Sequence, residues 1–214
     1  MDIVSEEIEA YCQEHSDSED EILASLSRET QSKFLRSRML SGHLQGLFLK
    51  MLSCMIKPAR ILEIGSYTGY SAICLSEGLQ ENGILQTIEV NYELEDIIRK
   101  YISKANLNNK IELIMGDALE IIPQLDYKYD LVFIDADKEN YIKYFDLIIN
   151  KVQQGGYIIA DNVLWSGKVL NPASNDVETN AIIAFNDYIN RNSEVENLML
   201  PLRDGLMIMR KHKK

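Results

Sequence analysis

Apolar and polar positions along the chain change their rhythm near residue 58. Before it, apolar residues recur at helical spacing over 3–14 and 19–34, and again over GHLQGLFLKMLSCMI at 42–56, so three helices are expected. The Ser/Asp cluster at 16–20 can cap the second, and the third should stop ahead of Pro58, because the residue before proline is pushed out of the helical region. The segment 1–40 is expected to form an N-terminal helical lid or collar.

Beyond Pro58, short apolar runs alternate with helical periodicity. Strands are expected at 60–65, 84–90, 110–115, 130–135 and 156–161, and helices near 70–80, 92–106 and 138–150, with one or two helical turns within 116–125. Such alternation requires crossover connections and gives a parallel sheet covered on both faces, a doubly wound α/β fold. After Trp165 comes a polar loop with Gly167 and Pro172, then a helix near 177–191 and strand-like runs at 195–201 and 206–211. The RDG sequence at 203–205 is a tight turn that would make these last two an antiparallel hairpin. No internal repeat or low-complexity segment interrupts the pattern.

Two of the buried runs end in acid. LVFIDADKENY (131–141) delivers Asp135, Asp137 and Lys138, and YIIADNVLW (157–165) delivers Asp161 and Asn162. Ligand sites in parallel sheets lie at the carboxyl ends of strands, and neighbouring strands are ~4.8 Å apart. If these two strands are neighbours, Asp135, Asp161 and Asn162 bring three oxygens within reach of one hard divalent cation, with Lys138 beside them as a base. Read in isolation, Asp135 and Asp137 would serve as well as caps for the following helix and Lys138 as a solvated charge; the matching acid at the second strand end turns the balance toward a site.

Three earlier strand ends add a second candidate pocket. ILEIGSYTGYS (61–71) passes from a strand through a glycine turn into a helix, which suits a nucleoside lying against the backbone at Gly65 and Gly69, although the spacing is not the dinucleotide fingerprint. ILQTIEVN (84–91) ends in Glu89, where a ribose diol could be held. IELIMGDAL (111–119) ends in Asp117 and Ala118, where an adenine edge and face would lie. Glu89 as a solvated strand end and Asp117 as a helix N-cap are the structural alternatives.

The order EIGSYTGYS, IEVN, GDA, FIDADKENY, ADN resembles the class I S-adenosylmethionine-dependent O-methyltransferases that use a divalent cation, the group of catechol and caffeoyl-CoA O-methyltransferases and their bacterial relatives. The resemblance runs from about Met39 to the end and implies a Rossmann-like methyltransferase fold with a seven-stranded, mostly parallel sheet and an antiparallel C-terminal hairpin. It further implies that Glu63, Gly65, Ser66, Ser71, Glu89, Asp117, Ala118, Asp135 and Asp137 line the methyl donor, with Met39 and Ser41 closing over it. Asp135, Asp161 and Asn162 would bind the metal, Lys138 would be the general base, and the assembly would be a homodimer.

Methyl transfer from a sulfonium to oxygen needs a nucleophile and its alignment, and a cation chelated by two adjacent hydroxyls supplies both. Two carboxylates and an amide oxygen suit Mg²⁺, with Ca²⁺ and Mn²⁺ as alternatives. A small catechol-like diol or phenol is the expected acceptor. Two other readings stay open: a hydroxylated uridine in tRNA, methylated by the same chemistry, and a nucleoside-binding protein without turnover.

Composition narrows the field further. A net charge of −11 and a pI near 4.8 disfavour a broad basic surface for nucleic acid or anionic membrane, leaving only the small cluster Lys33, Arg36 and Arg38 as a phosphate contact or a solvated helix face. Cys12, Cys54 and Cys74 are odd in number and scattered, which fits neither a disulfide framework nor a zinc motif and points to a reducing cytoplasm. The acidic N-terminus lacks secretory-signal character, and no run reaches the ~20 apolar residues of a membrane span. The length and composition are those expected of a single domain, 1–214. Tyr141, Tyr144 and His43 are expected to be packing or surface residues, and Trp165 either core or a flank of the acceptor.

Overall fold

The computed structural model describes residues 4–34 and 39–212. Helices α1 (Glu6–Glu14), α2 (Glu21–Lys33) and α3 (His43–Ile56) precede the sheet. Asp20 caps α2 by accepting the Ile22 N–H at 2.8 Å, as the acidic cluster predicts. α3 ends at Lys57, which adopts the left-handed conformation with φ 53° just before Pro58, so the helix stops where its sequence says it must. His43 reaches the Asp17 carbonyl at 2.6 Å and ties the loop between α1 and α2 to α3. Lys33 pairs with Glu29 at 2.8 Å on an exposed helix face, while Arg36 and Arg38 lie outside the described residues.

The sheet contains β1 (Arg60–Ile64), β2 (Ile84–Glu89), β3 (Ile111–Met115), β4 (Tyr129–Ile134), β5 (Val152–Asp161), β6 (Val195–Leu200) and β7 (Leu206–Lys211), in spatial order β3-β2-β1-β4-β5-β7-β6. Strands β1 to β5 run parallel, and β7 pairs antiparallel with both β5 and β6. This is the seven-stranded Rossmann-like architecture with a terminal hairpin. The order reverses between β1 and β4, so the crevice above those two strands is the switch point where ligands of such folds bind. Helices α4 (Tyr70–Ser76), α5 (Glu95–Lys104), α6 (Ala118–Ile121), α7 (Tyr141–Ile148) and α8 (Val177–Asn190) make the connections and cover.

β5 begins four residues earlier than its apolar run predicts. Its register against β4 jumps between Tyr129 and Leu131, and Gly155, at φ 79°, lies in the irregular stretch. A bulge of this kind lets a polar Gln-Gln-Gly-Gly segment join the sheet without carrying apolar alternation, so hydrophobic patterning registers only the regular half of the strand.

Both faces of the sheet are buried, and alternation assigns each side chain. Leu62, Val132, Ile134, Ile158 and Ala160 pack with Tyr141, Phe145 and Phe185 on one face. Ile61, Leu131, Phe133 and Ile159 pack with Leu49, Tyr70 and Tyr101 on the other. That is why these strands read as unbroken apolar runs. On the second face α3 lies so close to α4 that only glycine fits at two positions: a Cβ on Gly46 would come within 2.6 Å of the Tyr70 ring, and one on Gly78 within 2.1 Å of the Ser53 carbonyl carbon. The described part of the N-terminal segment joins this layer through Thr30 to Thr68 at 3.2 Å and Glu29 to Lys100 at 2.6 Å, which sets α2 beside the glycine turn. Among the described residues no helix is long and apolar enough to cross a membrane.

Gly78→Ala should destabilise the fold by about 2–3 kcal/mol, because its methyl meets backbone rather than a movable side-chain tip. A lowered urea midpoint at unchanged slope is the expected result; an unchanged midpoint would mean that α3 and α4 can separate freely.

Candidate active site

The two acid-ended strands are neighbours. Ile134 lies opposite Ala160 in the ladder, so Asp135 and Asp161 leave the sheet side by side. Asp161 is almost fully buried. Its Oδ1 accepts the Asn162 N–H at 2.7 Å and its Oδ2 accepts Gln45 Nε2 at 2.5 Å. Burial, and then the charge of Asp135, push its carboxyl up to about 7, since neither effect favours a second negative charge there. Among the described residues no three His, Cys, Asp or Glu side chains gather around one point; the set expected from the sequence is two carboxylates plus the amide of Asn162, a residue at φ 59°, where asparagine is among the few non-glycine residues readily tolerated.

Lys138 is buried beside them. Its Nζ donates to Asp135 Oδ1 at 3.0 Å and to the Tyr141 hydroxyl at 2.7 Å, and the Trp165 ring centroid lies 5.7 Å away. Tyr141 in turn donates its hydroxyl to the Asp161 backbone carbonyl at 3.1 Å. Tyr144 donates to Asp137 Oδ1 at 2.5 Å. Both tyrosines are buried, so packing is half of what they do; the other half is to hold Lys138 and Asp137, which helical spacing alone does not reveal. Trp165 stands at the edge of this group.

The second pocket forms at the switch point. Met39, Ser41, Gly65, Ser66, Ser71 and Asp135 line one hollow there. Glu89 is buried and folds the glycine turn back on β2, accepting Tyr67 N–H at Oε2 and Asn91 N–H at Oε1, each at 2.8 Å, with the Ser66 and Val90 N–H groups also acting on its charge. Desolvation still raises its carboxyl above the usual range, against those N–H bonds. Asp117 caps α6 by accepting the Leu119 N–H at 2.8 Å, and Ala118 behind it is buried.

Gly65 has a further reason to be glycine. A Cβ there would lie 2.2 Å from the Asp135 carbonyl oxygen, and φ is +92°. Glycine is required there because two strand ends touch. That contact joins the two pockets into one site.

Two residues unmarked by any motif connect them further. Arg203 donates through Nη1 to the Ser41 carbonyl and to Gln45 Oε1 at 3.4 Å. Asp204 accepts the Ser166 N–H, and its carboxyl is raised chiefly by burial. The RDG sequence is readable only as a turn; its reach into the site is a tertiary fact.

Below the hollow, Glu63 is wholly buried on β1. Thr87 donates to its Oε2 at 2.5 Å. Oε1 closes no hydrogen bond, although the Ser71 hydroxyl is near enough to favour the charged form, and desolvation dominates and pushes the carboxyl up to about 8. A raised carboxyl contributes stability that is whole below about 4.5, its unfolded value, and disappears as pH rises through 8, because over that window the folded state holds a proton that the unfolded state has lost. Ligand-free protein should therefore lose ~3 kcal/mol or more between pH 5 and 8, at ~1.4 kcal/mol for each pH step across that window, and Glu63→Gln should flatten that decline in urea titrations across pH. An identical decline in the variant would place the titration elsewhere.

Comparison with known proteins agrees with this geometry. The family model described as O-methyltransferase matches residues 13–212. Caffeoyl-CoA O-methyltransferase 2 of Eucalyptus globulus is 35% identical over 196 residues, covering 86% of this chain and 79% of that protein. The caffeoyl-CoA O-methyltransferase of Petroselinum crispum is 34% identical, covering 86% and 81%. Among solved structures, the O-methyltransferase of Bacillus cereus in complex with SAH superposes with a TM-score of 0.89 at 30% identity, covering 96% of this chain and 97% of that one. TomG of Streptomyces achromogenes, an O-methyltransferase involved in tomaymycin synthesis and solved with SAM, gives 0.87 at 26% identity, covering 96% of each. The chain belongs to the class I S-adenosylmethionine-dependent O-methyltransferase family.

Proposed function

We propose that this O-methyltransferase transfers the methyl group of S-adenosylmethionine to a hydroxyl of a small catechol-like diol, in a site that uses a divalent cation, most simply Mg²⁺. The observation that carries the reading is the register of β4 against β5, which sets Asp135 and Asp161 side by side with Asn162 next in line. Caffeoyl-CoA relatives support a phenolic acceptor. Placement of the donor at the switch point is supported by the hollow there, where Ser66 Oγ is buried without a protein partner and Met39 and Ser41 line one side. A hard cation fits the donor set of two carboxylates and one amide oxygen.

When bound, the donor supplies a methyl group activated on a sulfonium and the cation supplies Lewis acidity that lowers the acceptor's hydroxyl pKa. Asp135, Asp161 and Asn162 hold the cation. Glu89 would hold the ribose hydroxyls, Ala118 and Asp117 would flank the adenine, and Glu63, Gly65, Ser66, Ser71 and Asp137 would complete the donor's surroundings. Lys138 would accept the acceptor's proton as a neutral amine, the form that a neighbouring bound cation favours. Tyr141 keeps that amine aimed through its 2.7 Å contact, and the Trp165 ring walls the side from which an aromatic diol would enter. A homodimer is part of the same reading, and sedimentation measures it.

Donor consumption with a simple catechol should require Mg²⁺ or Mn²⁺ and stop in excess chelator; Asp161→Ala should abolish it, and undiminished turnover under chelation would remove the cation from the reaction. Parallel assays with phenylpropanoid thioesters and bulk tRNA identify the acceptor class, since tRNA would have to bind against a net charge of −11. Lys138→Ala should lower kcat by ~10²–10⁴-fold while leaving the dissociation constant for S-adenosylhomocysteine unchanged. Equal kcat in that variant would deny Lys138 the role of base.

A further inference from the structure

Gln45 lies in the first turn of α3 with no exposed surface. The helix around it is pressed onto α4: the neighbouring Gly46 admits no Cβ beside the Tyr70 ring, and further along Ser53 donates to the Leu75 carbonyl at 2.6 Å. A buried amide has to satisfy its polar atoms inside the protein. Gln45 does so by reaching out of α3 to two other elements. Its Nε2 donates to Asp161 Oδ2 at the end of β5, at 2.5 Å, and its Oε1 accepts Arg203 Nη1 from the turn before β7, at 3.4 Å.

The two partners fix which way the amide points. A carboxylate only accepts hydrogen bonds and a guanidinium only donates them, so both require nitrogen toward Asp161 and oxygen toward Arg203. Gln45 is therefore no cation ligand itself, because a hard cation takes oxygen. What it gives Asp161 is orientation. The backbone of Asp161 is already held by its pairing with Leu206 in the ladder and by the Tyr141 hydroxyl on its carbonyl, whereas the terminal torsion of an aspartate is broad and only loosely fixed by itself. One hydrogen bond on each oxygen sets the plane of the carboxylate: Asn162 N–H on Oδ1 at 2.7 Å and Gln45 on Oδ2. The first bond belongs to the strand end, and the second comes from a helix 116 residues away.

We infer that Gln45 is a positioning residue of this site: its amide nitrogen fixes the plane in which Asp161 offers its oxygens to a cation. The inference rests on the cation reading above. Outer partners of this kind change metal affinity by ~10–100-fold when altered.

Gln45→Met keeps the length and bulk of the side chain and removes its hydrogen-bond donor. Binding of Mn²⁺ alone to the ligand-free protein, followed by the electron paramagnetic resonance of the free ion, should weaken by ~10-fold or more in this variant. The dissociation constant for S-adenosylhomocysteine, measured without metal, should stay at its wild-type value. Gln45→Asn keeps an amide in the same place but is one methylene short of Asp161; it should show the same split, and it carries the test where Gln45→Met fails to fold. Wild-type Mn²⁺ affinity in a folded variant overturns the inference. So does a loss of Mn²⁺ binding matched by an equal loss of S-adenosylhomocysteine binding and a lowered urea midpoint, which would make Gln45 a packing residue. Wild-type protein that binds no Mn²⁺, or an Asp161→Ala variant that binds as tightly as wild type, sinks the cation reading and the inference with it. Binding that is lost in Asp161→Ala but kept in Gln45→Met overturns the inference alone.

Discussion

The contact on which the site depends is the meeting of two strand ends at the switch point. The backbone of Gly65, leaving β1, lies so close to the Asp135 carbonyl, leaving β4, that a single Cβ could not stand between them. Because β4 also pairs with β5 in a register that puts Ile134 opposite Ala160, one approach fixes the donor-side turn and the other fixes the acid pair. The spacing between the two pockets is then a property of hydrogen-bonded strands, which are far stiffer than loops. In-line transfer between bound partners requires that kind of stiffness, since misplacement of reacting atoms by about 1 Å can cost ~10²-fold in rate.

The polar groups around that contact are few, buried and partnered with directional care. Lys138 is held between Asp135 and Tyr141, Asp161 between Gln45 and its own strand end, Asp137 by Tyr144. In a low-dielectric setting each such bond is stronger than in water, and each lapse is more damaging. The carboxylates respond with raised pKa values: Asp161 stands at about 7 and Glu63 at about 8. A protein that keeps several acids out of water at one edge of its sheet accepts a loss of stability where its chemistry is arranged. The apolar layers on both faces of the sheet, with Phe133, Tyr141 and Phe185 fully buried, offset that loss.

Most of the secondary structure is legible in the chain because buried parallel strands and amphipathic helices have different periods, and strands two to four begin and end within a residue or two of the expected positions. β5 is the exception, since its bulged first half carries Gln and Gly instead of alternating apolar residues. In the site, Asp135, Lys138, Asp161, Asn162 and Glu89 stand out because acids at the ends of apolar runs are locally anomalous. Gln45, Arg203 and Asp204 do not stand out. A glutamine in an amphipathic helix and an Arg-Asp pair in a hairpin turn are ordinary in their own neighbourhoods, and only the neighbours brought by folding distinguish them.

What the sequence alone determined is which elements form, that they alternate into a doubly wound sheet, and which strand ends carry acid; these follow from local periodicity and from the placement of charge after apolar runs. Tertiary structure decided which groups orient which. Gln45 is 116 residues from Asp161 along the chain, and the turn at 203–205 reaches back to Ser41 and Val163. The direction of an amide depends on the donor or acceptor across from it, and no local pattern can specify a partner that arrives only when β7 slots in beside β5.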